Sequence, residues 1–378
     1  MLAALTLAGC SNLLGLDPPK LVGGDANRDG NGPRDGGSDV PCASFSTELD
    51  TCQLDFSQAT AIDLIDASSY DSDSHFLTVN GTTVQAGHAR VAGPAGPIEV
   101  LLATTFHAEL GSTFTLQGTV PVAIVANNTI EIDGAVFVES GPRVVATCVP
   151  LGGVDGSPND NGGSGGGGGA YQGNGGHGGT GDLGQTVAGA GEPSTSPVGL
   201  LGGCPGGGGG SSTNVGPDGG AGGGAVDFAS AVSYSQSGGI QAGGARGLGG
   251  PQNAGGSGGG SGGMILIEAP NVTITGQLGA NGGGGGGGGG VSTAGQDGTA
   301  GGFGTLPASG GIGGMGGGGG SGRGDGGTTG TLDGADVHGV SNHGGGGGGG
   351  GSGYIAIVCP SPIVSSASIS PPLTPWPP

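Results

Sequence analysis

Apolar residues in the first 150 positions recur at every second residue in short runs. Ile98, Val100 and Leu102 form one run and Phe114 and Leu116 another; Val122 with Ile124, Ile130 with Ile132, and Val136 with Val138 follow. A period of two, enriched in Val, Ile and Thr, predicts β-strands. The runs are broken at Gly118-Thr119, Asn127-Asn128 and Asp133-Gly134, residue types that turn a chain tightly. No segment sustains a 3.6-residue period, and glycine and β-branched residues both oppose helix.

Beyond residue 150 the strand-like runs reappear between glycine homopolymers. Gly263-Met264-Ile265-Leu266-Ile267-Glu268-Ala269-Pro270 leads into residues 271–281, with Val272, Ile274 and Leu278, and then into nine consecutive glycines, 282–290. Gly353-Tyr354-Ile355-Ala356-Ile357-Val358-Cys359-Pro360 repeats that entry after the eight glycines 344–351, and residues 225–244 are a looser copy with Val232, Tyr234 and Ile240. At an offset of 142, residues 122–125 face 264–267, and Ile130, Ile132 and Gly134 face Val272, Ile274 and Gly276. The two halves are therefore expected to share one strand lattice.

Composition sharpens this picture. Residues 43–150 hold 8 glycines in 108, whereas residues 151–360 hold 88 of the chain's 104. Bare glycine loses about 1–2 kcal/mol of backbone entropy per ordered residue, against about 1 kcal/mol returned by a hydrogen bond. Isolated tracts should not order; bundled tracts in a three-residue-per-turn extended helix can, because no Cβ keeps neighbours apart. The expected fold class is all-β: a β-helix-like or sandwich N-terminal domain, residues 43–150, followed by a glycine-rich domain of short strands and polyglycine II helices, residues 151–360. Six of the eight Phe lie in the first of these. A Pro-rich tail, 361–378, closes the chain.

The formal charge of −21, from 7 basic and 28 acidic side chains, repels phosphate backbones and excludes nucleic acid as a partner. The N-terminus places the chain elsewhere. Residues 1–10 are apolar and end in Leu7-Ala8-Gly9-Cys10, and residues 11–42 are rich in Asp, Gly and Pro, a solvated spacer. Leu7-Ala8-Gly9-Cys10 resembles the lipobox of bacterial lipoproteins, with residues 1–10 a truncated signal segment. The resemblance implies lipidation at Cys10, a lipid-anchored protein and, with Ser11 next, an outer-membrane, surface-exposed position. The glycine tracts resemble domains of bundled polyglycine II helices, as in phage tail-fibre adhesin tips, the snow-flea antifreeze protein and the glycine-rich domain of anaplastic lymphoma kinase. The whole arrangement is similar to glycine-rich lipoproteins of myxobacterial type. These likenesses imply architecture and display, and no activity.

Without Cys10, five cysteines remain as disulfide candidates: Cys42, Cys52, Cys148, Cys204 and Cys359. A local Cys42–Cys52 staple is the best pairing, and Cys148 pairs with either Cys204 or Cys359. The search for chemistry returns little. None of the six His makes a zinc-protease or triad motif. Asp333, Asp336, His338 and His343 form the densest ligand-type cluster, in a glycine-flanked loop; Asp25, Asn27, Asp29 and Gly30 begin a calcium loop whose closing Glu is missing. Arg323-Gly324-Asp325 is a chance cell-attachment tripeptide. No catalytic, cofactor-binding or metal residues are assigned. The expected function is a surface-displayed structural or adhesive protein, not an enzyme, held to the membrane by its lipid and meeting a surface glycan or protein ligand. The alternatives are a polysaccharide-acting β-helix enzyme using Asp63, Asp66, Asp71 and Asp73, or an ice- or glycan-surface binder.

Overall fold

The computed structural model describes residues 44–139, 148, 153–159, 161–182, 189–191, 196–211, 216–315, 332–337 and 342–376. β1 (Thr60–Leu64) and β2 (Ala67–Asp71) lead into β3 (Phe76–Val79), β4 (Thr82–Gln85) and β5 (His88–Gly93), then into the long β6 (Gly96–Ala108) and β7 (Thr113–Gln117). Strands then come in threes: β8 (Val122–Ala126), β9 (Thr129–Ile132) and β10 (Ala135–Val138); β11 (Ala225–Ser230), β12 (Ser233–Gln236) and β13 (Gly239–Gln241); β14 (Met264–Glu268), β15 (Val272–Ile274) and β16 (Gln277–Gly279); β17 (Tyr354–Val358), β18 (Ile363–Val364) and β19 (Ser368–Ser370). Two three-residue 3-10 turns, Thr51–Gln53 and Phe56–Gln58, are capped by Asp50 and Asp55. No described helix is long and apolar enough to cross a membrane.

These strands form two sheets. The first has eleven strands, in the order β17-β14-β11-β8-β6-β9-β12-β15-β18, with β1 and β5 also on β6. It curls because β6 serves two neighbours: residues 99–103 pair with β8, and Phe106, His107 and Ala108 pair with β9. The second sheet has eight strands, β19-β16-β13-β10-β7-β2-β3-β4, and is mixed, since β3 is antiparallel to both β2 and β4. Asn80 and Gly81, both at positive φ, form the two-residue turn between β3 and β4, the turn whose twist suits a hairpin.

The expectation of a β-helix-like or sandwich domain at 43–150 followed by a glycine-rich polyglycine II domain is corrected. β11, β12 and β13, from the glycine-rich half, pair directly with β8, β9 and β10 from the first half. The protein is thus one sheet-rich structure, a curled parallel sheet plus a mixed sheet, and neither a pure β-helix nor a polyglycine II fold. Parallel strands require long crossovers, usually helices; here glycine-rich excursions take that place.

Side chains explain the curl. Leu101, Ile124, Phe228, Ile265 and Ile355 from one flank meet Phe106, Ile130, Tyr234 and Val272 from the next, and Phe114, Val136, Ile240 and Leu278 from the mixed sheet, in one buried core. The outer face of the first flank is buried as well: Val100, Leu102, Val125, Met264, Leu266 and Tyr354 pack under Leu49, Tyr171, Leu200, Leu201 and Trp376.

The glycine tracts bond to one another in three directions at every third residue. Gly256, Gly259 and Gly262 donate to Gly345, Gly348 and Gly351; Gly255, Gly258 and Ser261 donate to Gly210, Gly207 and Cys204; Ser257, Gly260 and Gly263 donate to Leu248, Ala245 and Ala242, all at 2.7–3.0 Å. The tracts are close enough that a Cβ on Gly258 would lie 1.9 Å from the Gly167 carbonyl oxygen. Tract 255–263 runs directly into β14 and tract 344–351 into β17, so the pairing of tracts carries the register Met264↔Tyr354 into the strands.

Candidate functional site

The most concentrated chemistry lies in the first turn of the curl. Glu99 on β6 begins an interior row that continues through Val122, Val226, Ile265 and Ile355, and it is fully buried. The Tyr70 hydroxyl, from β2, donates to Glu99 Oε1 at 2.9 Å. Burial first, and the Glu99 charge second, push the Tyr70 phenol above its usual range, so it stays protonated as a donor. His75 Nδ1 lies 2.9 Å from the same oxygen, and His88 Nδ1 lies 3.2 Å from it.

Local structure delivers these groups. Asp71 accepts from the backbone N–H groups of Asp73 and Ser74, and the His75 N–H donates to the Asp71 carbonyl. That tight turn holds His75 at a φ of 63°, a conformation costing roughly 1–2 kcal/mol for a residue with a Cβ. His88 opens β5, opposite Leu101. The two imidazoles stack, with centroids 4.4 Å apart and planes within 10°. His75, His88 and Glu99 thus present two nitrogens and a carboxylate oxygen within 4.8 Å of one another.

A second polar group lies on an outward row where Asp63, His107 and Glu131 are register neighbours. His107 sits 3.8 Å from Asp63 and 3.7 Å from Asp133, and Asp133 also accepts from the Ser237 hydroxyl. A third is the buried carboxyl pair Asp227 and Glu268, on β11 and β14. Thr47 donates to Glu268 through its backbone N–H and its hydroxyl. Neither Asp227 oxygen meets an N–H or O–H donor in good geometry, and its approach to Glu268 is carboxyl to carboxyl, a hydrogen bond that needs one group protonated. Burial, then the Glu268 charge, raises Asp227 well above the ordinary range; burial raises Glu268 also. A cleft of about 370 Å³ between the β7–β8 turn and the glycine tracts has Glu139 and Asp218 as its acidic lining.

The residues singled out by sequence are dispersed. Cys10, Cys42, His338 and the 323–325 tripeptide lie outside the described residues. Asp333 and Asp336 accept from the backbone N–H groups of His177 and Thr180, fastening a glycine tract, and His343 is buried. Asp73 accepts from Thr119 and Asp71 from its own turn, while Asp63 lies on β1 beside His107. Cys148 and Cys204 form a disulfide; Cys52 is disulfide-bonded, and Cys359 is a buried thiol. Sequence reasoning passed over the Tyr70, His75, His88 and Glu99 group. A signal was present in Glu99, a charge inside the apolar run 98–103.

Comparison with protein-family models, with curated proteins and with solved structures gives no match.

Proposed function

We propose that the chain is a non-catalytic structural or adhesive protein displayed on a bacterial cell envelope, held to the outer membrane by lipidation at Cys10. The observation that carries this reading is the three-directional bonding of the glycine tracts. Each tract is tied by its backbone to several others, giving a stiff slab with few side chains and no need of a large core. Such a slab holds the loops between tracts apart at a fixed spacing, as suits contact with a surface glycan or protein. The net charge of −21 keeps copies from associating and keeps the slab off anionic surfaces.

The test is expression of the chain and of Cys10→Ala, each with residues 1–6 replaced by a full-length lipoprotein signal segment leading into Leu7-Ala8-Gly9, in a Gram-negative host fed an alkynyl fatty acid, followed by fractionation and protease treatment of whole cells. The expected result is label and membrane retention for the parent chain alone, with fragments released from intact cells. An unlabelled, soluble parent chain overturns the anchor, and release of reducing ends from envelope polysaccharide by the purified protein overturns the non-catalytic reading.

A further inference from the structure

We propose that His75, His88 and Glu99 form a binding site for one divalent transition-metal ion, zinc being the best match to the donors, and that the ion ties the β2–β3 turn to the β5–β6 pair. Glu99 carries the argument. It is fully buried, and its Oε2 has no hydrogen-bond partner while Oε1 is crowded by three groups. A buried carboxylate with an unsatisfied oxygen is costly unless a cation or donor compensates it. Arg90 lies directly across the β5–β6 ladder, yet it is exposed and makes no ion pair with Glu99.

The two histidines supply the second observation. Both Nδ1 atoms lie close to the same carboxylate oxygen, at 2.9 and 3.2 Å. His75 has hydrogen-bond geometry; His88 Nδ1 is buried and has no hydrogen-bond partner. His88 is left with a buried nitrogen that Glu99 does not satisfy, and a cation shared by the two imidazoles, reached by rotation of their stacked rings, employs both lone pairs. The dimensions agree. Zinc binds imidazole nitrogen and carboxylate oxygen at about 2.0–2.2 Å in a tetrahedron, which sets donors about 3.4 Å apart. The two nitrogen–oxygen separations, 2.9 and 3.2 Å, reach that with shifts of up to about half an ångström. Tyr70, donating to Oε1, orients the carboxylate as outer-shell groups do, and the fourth position is open to water. On binding, the ion takes the place of the His75–Glu99 hydrogen bond, with His75 in the tautomer that carries its proton on Nε2. The His107, Glu131 and Asp133 group lacks this combination: Glu131 is exposed, and Asp133 is already bonded to Ser237.

The experiment is calorimetric titration of the full chain, stripped with chelator, with Zn²⁺, and optical titration with Co²⁺. One ion per chain, a raised melting temperature and the visible bands of tetrahedral cobalt are expected. His75→Asn and His88→Asn should each weaken binding at least about tenfold, whereas His107→Asn should leave it unchanged; melts without metal confirm that each variant folds. In the parent chain, Zn²⁺ should protect two histidines from diethyl pyrocarbonate, a readout that needs no variant. Absence of saturable uptake, uptake unaffected by His75→Asn and His88→Asn, or uptake abolished by His107→Asn overturns the assignment.

Discussion

Replacing Gly258 by Ala tests whether the glycine tracts are packed by contact or merely lie near one another. A Cβ built on Gly258 meets the Gly167 oxygen at 1.9 Å, the Gly167 carbon at 2.5 Å and the Gly168 nitrogen at 3.0 Å. All three are backbone atoms, so no rotamer change relieves the overlap. Ordinary contact needs about 3.5 Å, so tract 163–169 must retreat by about 1.5 Å. The Gly167 oxygen accepts from Gly207 at 2.7 Å, and the Gly167 N–H donates to Val154 at 2.9 Å; a shift of that size breaks both. Two bonds at about 1 kcal/mol each, with about 1–3 kcal/mol of overpacking, are offset by about 0.4–1 kcal/mol from the stiffer unfolded chain. The net destabilisation is about 3 kcal/mol. Gly302→Ala is the matched control: nothing lies within 4 Å of its Cβ and its φ is not left-handed, so it should stabilise by about 0.4–1 kcal/mol. Urea unfolding followed by circular dichroism, at constant slope, reads both. Equal stabilities for the two variants, within about 0.5 kcal/mol, would refute close packing of the tracts.

Cys148 and Cys204 are 56 residues apart in sequence, so their bond should stabilise by about 4 kcal/mol through the unfolded chain. Unfolding of Cys148→Ser/Cys204→Ser beside the parent checks this, and a loss below about 1 kcal/mol counts against it. For Asp227 and Glu268, raised by burial, the native state binds more protons than the unfolded chain between pH of about 4 and the raised native values. Stability is therefore full below that window and falls as pH rises through it, by up to about 1.4 kcal/mol per pH unit per group. Asp227→Asn should flatten a melting series from acid to mildly alkaline pH, and an unchanged slope contradicts the raised values. Phe228, wholly buried against Tyr234, should cost about 3–5 kcal/mol on truncation to Ala, and a thermal melt reads the loss.

The strands were legible because their apolar pattern is dense. Ile130 and Ile132 lie on β9, Val136 and Val138 on β10, and Ile265 and Ile267 on β14. The internal repeat was legible to within a residue: Ile130, Tyr234 and Val272 share a row at the offset read from sequence, while Val122 aligns with Ile265 rather than Met264. The shared strand lattice was legible from that repeat, but the curled sheet it builds was not. A jump in glycine content was read as a domain boundary, yet composition cannot tell a separate domain from long crossovers that return to the same sheet. β10 ends at Val138 and its neighbour β13 begins at Gly239, and nothing local in either strand announces the other.

The site was hidden by the rule that revealed the strands. Alternation through Ile98, Val100 and Leu102 assigns Glu99 to a polar, solvent-facing side. That holds for a sheet with one wet face, but this flank is covered on both, its inner row by the core and its outer row by Leu49, Tyr171 and Trp376. In a strand dry on both faces a charge is an anomaly wherever it falls, and the three that occur, Glu99, Asp227 and Glu268, each gather other titratable groups. The outer pair meets another carboxyl and resolves its charge by holding a proton. Glu99 instead meets two imidazoles and a phenol, donors and lone pairs brought from β2, the following turn and β5. His75 and His88 become neighbours only when β3 and β4 fold back as a hairpin, which is why spacing alone gave no metal motif. Burial of one glutamate, more than any motif, is the feature that separates a passive scaffold from one with a chemical fastening built into its first turn.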